Sequence, residues 1–271
     1  MEILRYTAFS DDPAGGNPAG VVLDATGATG AQMLAVAAEV GYSETAFLIP
    51  RADGEHDVRY FSPLAEVPFC GHATIATAVA HADRHGPGTL RLHTRAGLVP
   101  VETTGRTATL VSVPPRDTAL DDPAPLLGLL GWSPGDLDPA LPPRVAFAGA
   151  WHPVIAARSR ERLAKLDYDL AALGALMADR DWTTIALVWR ESETVFHARN
   201  PFPPGGVFED PATGAAAAAL GGYLRTQGLV TPQTTITIHQ GYDLGRPSLL
   251  TVTIPREGGI SVTGTAAPIT V

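Results

Sequence analysis

The sequence contains a single cysteine, Cys70, among 271 residues. One thiol excludes an intrachain disulfide and any catalytic mechanism that requires a pair of thiols. A chain without disulfides is typical of a reducing compartment, so the sequence predicts a cytoplasmic protein. The first residues also lack a basic stretch followed by a long apolar run, which argues against a secretory signal peptide.

Positive charge and long apolar runs are also scarce. The 19 Lys and Arg residues are outnumbered by 28 Asp and Glu residues, which gives a formal net charge of −9. Nucleic-acid binding requires clustered Lys and Arg side chains, and no such cluster is present, so no nucleic-acid partner is expected. No apolar segment approaches about 18 residues, so no membrane span is expected.

Several motifs of well-known enzyme classes are missing. The sequence has no GxxxxGK[ST] phosphate loop, no GxGxxG fingerprint, no HExxH zinc motif and no GxSxG nucleophile elbow. His81 and His85 have the spacing of metal ligands on a helix, but Gly-Pro-Gly follows His85 directly, and we expect no metal there. What remains is acid–base chemistry by carboxylates and a histidine.

The length and the distribution of prolines predict two domains of about 120 to 130 residues each. We expect an N-terminal half over residues 1–115, a proline-rich linker over 116–144 and a C-terminal half over 145–271. The last strand is a candidate to return to the N-terminal half. Apolar segments predict strands along most of the chain, with helices over 31–40, over 75–81 and within 164–179.

The most informative stretch, Phe208 to Leu220, reads FEDPATGAAAAAL and predicts a loop that leads into a helix. Proline suits the first turn of a helix, and alanine has the highest helix propensity. The first N–H groups of such a helix have no partner within it and form an anion site. Asp210 is therefore either the N-cap of this helix or a group that faces a bound ligand, and taken alone the N-cap is the commoner role.

A second glycine-containing loop opens a helix of small residues in CGHATIATAVAH, over residues 70–81. His72 is interpreted either as a group that binds an anion or relays a proton, or as a packed histidine that caps the turn. Cys70 is interpreted as a small buried residue, not a reactive thiol. Glu44 stands where the apolar strand of YSETAFLI begins, a position that suits proton transfer, although a solvated loop acid is commoner.

The order of the motifs repeats within the chain. Residues 183–188 (TTIALV) resemble 44–49 (ETAFLI), and in each half a further strand, a proline-containing loop and a small-residue helix follow. This predicts two halves of one architecture with a ligand cleft between them. Two helix N-termini directed into one cleft favour a small anionic substrate such as a carboxylate. Asn17, in the loop predicted over 11–20, is either part of a plain turn or a polar contact near the pocket.

Four motifs in this order, GNPAGVVL, GYSETAFL, FSPLAEVPFCGHAT and EDPATGAAA, resemble the PhzF-like family of phenazine-biosynthesis isomerases over nearly the whole chain. The resemblance implies an α+β fold of the diaminopimelate epimerase type. In that fold two pseudo-symmetric halves each curl a mixed β-sheet around a central helix, and the active site lies in the cleft between them. It also implies a homodimer, no metal and no organic cofactor.

The resemblance further implies that Glu44 is the acid/base that moves a proton between carbons of a cyclic dihydro-hydroxyanthranilate. The family often has a serine after its DPATG motif, where this chain has Ala215, so one polar substrate contact is lost. The residues expected to bind substrate are Asn17, Gly71, His72, Asp210, Gly214 and Ala215.

The resulting hypothesis is a cofactor-independent isomerase of a small, carboxylated, unsaturated metabolite, expected to be cyclic, in phenazine-like or other antibiotic biosynthesis. Two alternatives stay open. One is an amino-acid epimerase or racemase, which with a single thiol would need Glu44 and Asp210 as its two bases. The other is a non-catalytic protein that binds a small molecule on the same scaffold.

Overall fold

The computed structural model describes residues 1–95, 97–231 and 233–270. These residues form two compact units. The first is Met1–Val111 together with the segment that begins at Thr263, and the second is Ser112–Val262.

The elements of the first unit, in chain order, are β1 (Leu4–Ala8), β2 (Asn17–Val22), α1 (Gly30–Val40), β3 (Glu44–Pro50), β4 (His56–Phe61), β5 (Glu66–Val67), α2 (Gly71–His85), β6 (Thr89–Thr94), β7 (Gly97–Thr104) and β8 (Thr107–Val111). Those of the second unit are β9 (Arg116–Ala119), α3 (Ala124–Leu129), β10 (Arg144–Phe147), β11 (Trp151–Ala156), α4 (Arg160–Ala164), α5 (Leu170–Asp179), β12 (Ala186–Arg190), β13 (Val195–Phe202), β14 (Val207–Asp210), α6 (Gly214–Thr226), β15 (Thr234–Gln240) and β16 (Ser248–Ile254). The strand β17 (Ser261–Pro268) begins in the second unit and lies mostly in the first.

The sheet of the first unit closes on itself around α2. Within the described residues, β1 pairs with β2, β2 with β3 in parallel, β3 with β4, β4 with β6 in parallel, and β6 to β8 as a meander. β17 pairs with both β8 and β1 and completes the ring. α2 packs against β1, β2, β3, β7 and β8. Its Ala73, Ala76 and Ala78 are fully buried, because small side chains let the strands approach the helix closely.

The second unit repeats this order of pairing. β10 pairs with β11, β11 with β12 in parallel, β12 with β13, β13 with β15 in parallel, and β15 with β16. The short strands β5 and β14 occupy equivalent places beside β4 and β13. α6, whose alanines over 216–219 are buried, packs against β9, β10, β11 and β16. The prediction of two similar halves, each a mixed sheet around a central helix, is therefore confirmed, and the predicted cleft between them stays a prediction.

The segment predicted as a proline-rich linker, 116–144, contains β9 and α3. Leu126 and Leu127 of α3 belong to the hydrophobic core of the second unit, together with Trp132 and Leu173. The prolines at the start of α3 occupy positions that require no backbone N–H donor. Composition alone therefore does not distinguish this folded segment from a linker.

The loop predicted over residues 11–20 is shorter than expected, because β2 begins at Asn17 and pairs with β1, with Asn17 opposite Ala8. The helix predicted over 31–40 corresponds to α1, which ends where Gly41 adopts the left-handed conformation. The helix predicted within 164–179 corresponds to α5, which α4 precedes. None of the helices in the described parts of the chain is long and apolar enough to cross a membrane.

Candidate active site

Glu44 and His72 come together at one end of the first unit. Glu44 is the first residue of β3, and His72 lies in the first turn of α2. Both side chains are buried, and Glu44 Oε2 lies 3.3 Å from His72 Nε2. The parallel pairing of β2 with β3 and the packing of α2 on both strands bring the carboxylate to the imidazole.

The imidazole of His72 has two further polar neighbours. Ser43 Oγ lies 3.3 Å from Nε2, and Cys70 Sγ lies 3.4 Å from Nδ1. Either neutral tautomer satisfies both contacts: Nδ1–H can donate to the sulfur while Nε2 accepts from the Ser43 hydroxyl, or Nε2–H can donate to the Ser43 oxygen while Nδ1 accepts from the Cys70 thiol. In the first of these tautomers, Nε2 carries no proton that it could donate to Glu44.

The carboxylate of Glu44 is buried, and one of its oxygens has no hydrogen-bond partner among the described residues. Oε2 accepts no hydrogen bond from the residues that the structure describes, and the 3.3 Å approach of His72 is a close contact without hydrogen-bond geometry. A buried acceptor of this kind is costly unless a proton, a cation or a ligand engages it. This arrangement can exchange protons with a bound molecule.

The other predicted residues of the first unit stand at the starts of the same elements. Asn17 begins β2 and is 1% exposed, and Gly71 is the half-buried first residue of α2. The structure therefore places Asn17, Glu44, Gly71 and His72 on three adjoining elements.

Asp210 ends β14 and is 5% exposed. Its Oδ2 accepts a hydrogen bond of 2.5 Å from the hydroxyl of Thr213, and Thr213 is the N-cap residue of α6. The interpretation of Asp210 as the N-cap is therefore wrong, because a turn of three residues separates it from the helix. Asp210 instead organises the turn that leads into α6, where Gly214 is buried and Ala215 is half-buried.

Gln240 supports the same turn, and the sequence did not single it out. Its Nε2 donates to the Asp210 carbonyl at 2.8 Å, and its Oε1 accepts from the Thr213 N–H at 3.1 Å. The available signal was a glutamine at the end of a strand directly before Gly241. Gly241 has φ +76°, and a Cβ there would lie 2.7 Å from the Pro211 carbonyl oxygen. The loop after Gln240 therefore begins against the 210–213 turn.

A buried ion pair fixes the other acid of the EDPATG motif. Arg199 on β13 donates through Nε to both carboxylate oxygens of Glu209, at 3.0 and 3.1 Å, and through Nη1 to the Ala164 carbonyl at 2.7 Å. Burial raises the pKa of Glu209, and the neighbouring Arg199 opposes this increase. Glu209 therefore ties β14 to β13 and to the end of α4, and sequence analysis did not pair it with Arg199.

A second buried polar group in this unit is His152 on β11, which is fully buried. Its Nδ1 lies 2.9 Å from Thr184 Oγ1, which also accepts a hydrogen bond of 3.0 Å from Asn200 Nδ2. Burial lowers the pKa of His152 to about 4, so the imidazole is neutral at physiological pH. β11 is equivalent to β2 in the pairing order.

The largest cavity described in the first unit does not lie at Glu44 and His72. A cavity of about 540 Å³ in the first unit is lined by His56, His81 and His85. These side chains surround the C-terminal end of α2, whereas Glu44 and His72 lie at its N-terminal end. The candidate site is the buried carboxylate with its neighbours, because a catalysed reaction requires positioned reactive side chains. The size of a cavity does not provide these groups.

Comparison with known sequences gives matches over nearly the whole chain. The family model described as phenazine biosynthesis-like protein matches residues 6–270. The chain is 34% identical to trans-2,3-dihydro-3-hydroxyanthranilate isomerase of Pseudomonas fluorescens over 90% of this chain and 86% of that protein. It is 31% identical to YfhB of Bacillus subtilis, an uncharacterized isomerase, over 98% of this chain and 95% of that protein.

Solved structures agree with these matches. The crystal structure of a PhzF-family protein from Bacillus anthracis has a TM-score of 0.89 at 25% identity, covering 100% of this chain and 98% of that one. A hydroxyproline epimerase from Agrobacterium vitis has a TM-score of 0.67 at 12% identity, with 99% and 91% of the two chains covered, which is a similarity of fold alone. The family match and the isomerases among its relatives show that this chain belongs to the phenazine biosynthesis-like (PhzF) family of isomerases.

Proposed function

We propose that this isomerase moves a proton between carbon atoms of a small, carboxylated, unsaturated metabolite, with Glu44 as both acid and base. The observation that carries the proposal is the buried Oε2 of Glu44, which accepts no hydrogen bond from a described residue and lies 3.3 Å from His72. A general base requires an oxygen that can reach a substrate proton, and an oxygen already saturated by protein donors is a poorer base.

The proposed reaction uses one carboxylate twice and needs no organic cofactor. The Glu44 carboxylate removes a proton from a carbon atom that is activated by conjugation, and the electron pair of that C–H bond enters the conjugated system. The double bond shifts, and the Glu44 carboxylic acid returns the proton to the distal carbon. Because one group serves both carbons, the proton stays on one face of the substrate.

The start of α2 is the proposed binding site for the anionic group of the substrate. The positive end of the helix dipole lies at Gly71 and His72, and the first turn of a helix presents N–H donors to anions. Asn17 at the start of β2 is a further proposed contact. In the second half, we propose Asp210, Gly214 and Ala215 as substrate contacts, held in place by Thr213 and Gln240.

The proposed substrate class is a cyclic dihydro carboxylic acid. The relative from Pseudomonas fluorescens is named for trans-2,3-dihydro-3-hydroxyanthranilate, and this compound is the first one to test. Ala215 is half-buried at the second position of α6 and offers no hydroxyl to a substrate. A substrate with one fewer hydrogen-bonding group at this position is therefore modestly favoured, since an apolar contact discriminates only weakly against an added polar group. We place the reaction in secondary metabolism.

Isomerisation in D₂O, followed by NMR, tests the proposal. Glu44→Gln is expected to lower turnover of an accepted substrate by about 10²–10⁴-fold, because it removes a positioned proton-transfer group. Glu39→Gln is the matched control, since Glu39 is exposed on α1, and it should keep wild-type turnover. If Glu44→Gln retains wild-type turnover, Glu44 is not the acid/base.

The position of deuterium separates the alternatives. Migration of the double bond supports the isomerase, with protium at the new C–H bond where Glu44 returns the proton that it removed and deuterium where its carboxyl group first exchanges with solvent. Deuterium at an α-carbon without migration would favour an epimerase, and binding without either exchange or migration would favour a non-catalytic protein. The homodimer and the cytoplasmic location stay predictions.

A further inference from the structure

Three potential metal ligands converge at the start of α2. A carboxylate oxygen of Glu44, an imidazole nitrogen of His72 and Sγ of Cys70 all lie within 4.8 Å of one another, and all three residues are buried. His72 Nε2 lies 3.3 Å from Glu44 Oε2 and 3.8 Å from Cys70 Sγ. Ligands of a tetrahedral Zn²⁺ with bonds of about 2.0–2.3 Å are separated by about 3.3–3.8 Å. Two of the three separations therefore match without rearrangement.

The electrostatics of this cluster favour a cation. In the tautomer with its proton on Nδ1, His72 Nε2 is an acceptor and lies 3.3 Å from the buried Oε2 of Glu44, which accepts no hydrogen bond from a described residue. Two acceptors at this distance repel one another unless a proton or a metal ion lies between them. The positive end of the α2 dipole opposes a cation, but this effect is much weaker than coordination by a carboxylate and a thiolate.

We propose that Glu44, Cys70 and His72 bind a borderline-soft divalent cation, in first place Zn²⁺, and leave its fourth position open to water or an anion. One oxygen, one nitrogen and one sulfur ligand suit Zn²⁺, whereas Mg²⁺ and Ca²⁺ prefer oxygen ligands alone. The Cys70 thiol loses its proton to solvent on binding, so the affinity rises with pH.

Zinc bound in this way acts as an inhibitor of the isomerase, because it occupies the carboxylate that would accept the substrate proton. This consequence rests on the proposed role of Glu44, whereas the binding of the metal does not. The activity would then respond to the concentration of free zinc through the same three side chains that line the site.

Cobalt spectroscopy on the full chain tests the site directly. Because Cys70 is the only cysteine in the sequence, a thiolate-to-cobalt charge-transfer band in the near ultraviolet can arise from no other residue. Titration of the metal-free protein with Co²⁺ is expected to saturate this band at one ion per chain, and Zn²⁺ is expected to abolish it. Cys70→Ser should lose the band, while Glu44→Gln and His72→Gln should weaken cobalt binding by about 10–100-fold or more.

The histidines at the other end of α2 provide the matched control. His81 and His85 have ring centroids 4.5 Å apart, and any cobalt bound by these imidazoles would give no thiolate band. His85→Gln should therefore leave the band unchanged. Absence of the band from the folded wild type would overturn the metal site. The same conclusion would follow if Glu44→Gln and His72→Gln both kept the wild-type affinity for cobalt. Circular dichroism shows whether each variant is folded, and Cys70→Ala replaces Cys70→Ser if the serine variant is not.

The two proposals fail in different measurements. The metal site depends on the cobalt band and its loss in the variants, which are read without any substrate. The acid/base role of Glu44 depends on turnover and deuterium position, which are read without any metal.

Discussion

The buried ion pair of the second half makes a prediction about stability with a defined pH dependence. The Glu209 side chain is fully buried and that of Arg199 is 8% exposed. Arg199→Met removes the cation and Glu209→Gln removes the anion, and each keeps a similar side-chain volume. Either change leaves one buried group without its partner, which costs about 3–5 kcal/mol of unfolding free energy at neutral pH.

The two variants differ in how they respond to pH. Glu209 can neutralise itself by taking up a proton, whereas an arginine side chain has no comparable route to a neutral form. Burial already raises the pKa of Glu209 in the folded wild type above its usual 4.5, and the loss of Arg199 raises it further. When the pKa of a carboxyl group is higher in the folded state than in the unfolded state, the group stabilises the fold most at pH values below its unfolded-state pKa. This contribution to the unfolding free energy falls as the pH rises through the folded-state pKa.

Arg199→Met should therefore be closest to wild type at acidic pH. As the pH rises from the folded-state pKa of Glu209 in wild type to its folded-state pKa in the variant, the difference in unfolding free energy between the two proteins should widen by up to about 1.4 kcal/mol per pH unit. Above that range the difference should stay constant. Glu209→Gln lacks the titrating carboxyl and should show no such widening. The double variant Arg199→Met/Glu209→Leu removes both charges and should recover most of the lost stability.

Urea denaturation followed by circular dichroism at pH 5 and pH 8 measures these differences. The reasoning is refuted if both single variants stay within about 1 kcal/mol of wild type at both pH values, which is the behaviour of a solvent-exposed pair. It is also refuted if the deficit of Arg199→Met is the same at both pH values, because Glu209 would then not be the group that titrates.

Two further predictions concern the second half. Burial lowers the pKa of His152 from 6.5 to about 4, so the imidazole is neutral in the folded state at neutral pH. Its contribution to the unfolding free energy is complete above about pH 6.5. As the pH falls toward 4, this contribution is lost by about 1.4 kcal/mol per pH unit. Denaturation of His152→Gln over this range should show a shallower loss than wild type, and equal slopes would contradict the assignment. Gly222→Ala should lower the unfolding free energy by about 1–3 kcal/mol, because its Cβ would lie 2.4 Å from Pro115 Cβ. Gly128→Ala is the control, because a Cβ at this helical position would meet no described atom beyond its chain neighbours within 4 Å. In thermal unfolding this variant should be neutral or slightly stabilising.

Local patterns predicted the helices and most strands, because alanine-rich and β-branched segments have preferences that do not depend on the rest of the chain. The loop over 11–20 was predicted too long, since Pro18 and the glycines around it are typical of turns, although Pro18 lies within β2 opposite Thr7. The prolines of 116–144 had the same effect on the predicted linker. In both places, tertiary pairing outweighs a composition that favours loops.

The candidate site was predicted in part. Glu44 and His72 were recognisable as polar residues at the starts of apolar elements, but their 3.3 Å contact depends on the packing of α2 against β2 and β3. The partners of the EDPATG motif, Arg199 and Gln240, lie on other strands. No periodicity or spacing within the motif indicates them, because they are set by the pairing of β13 with β14 and with β15.

The strand β17 determines the order in which the chain can complete its fold during translation. Tyr6 to Ala8 pair with residues 266–268, so the ring of strands in the first half stays open while the whole second half is being made. During that time β1 and β8 each present an unpaired edge, which is a site for wrong association. The loop that must close is long, and such closures are slow. The half that emerges first from the ribosome is therefore the half that is finished last.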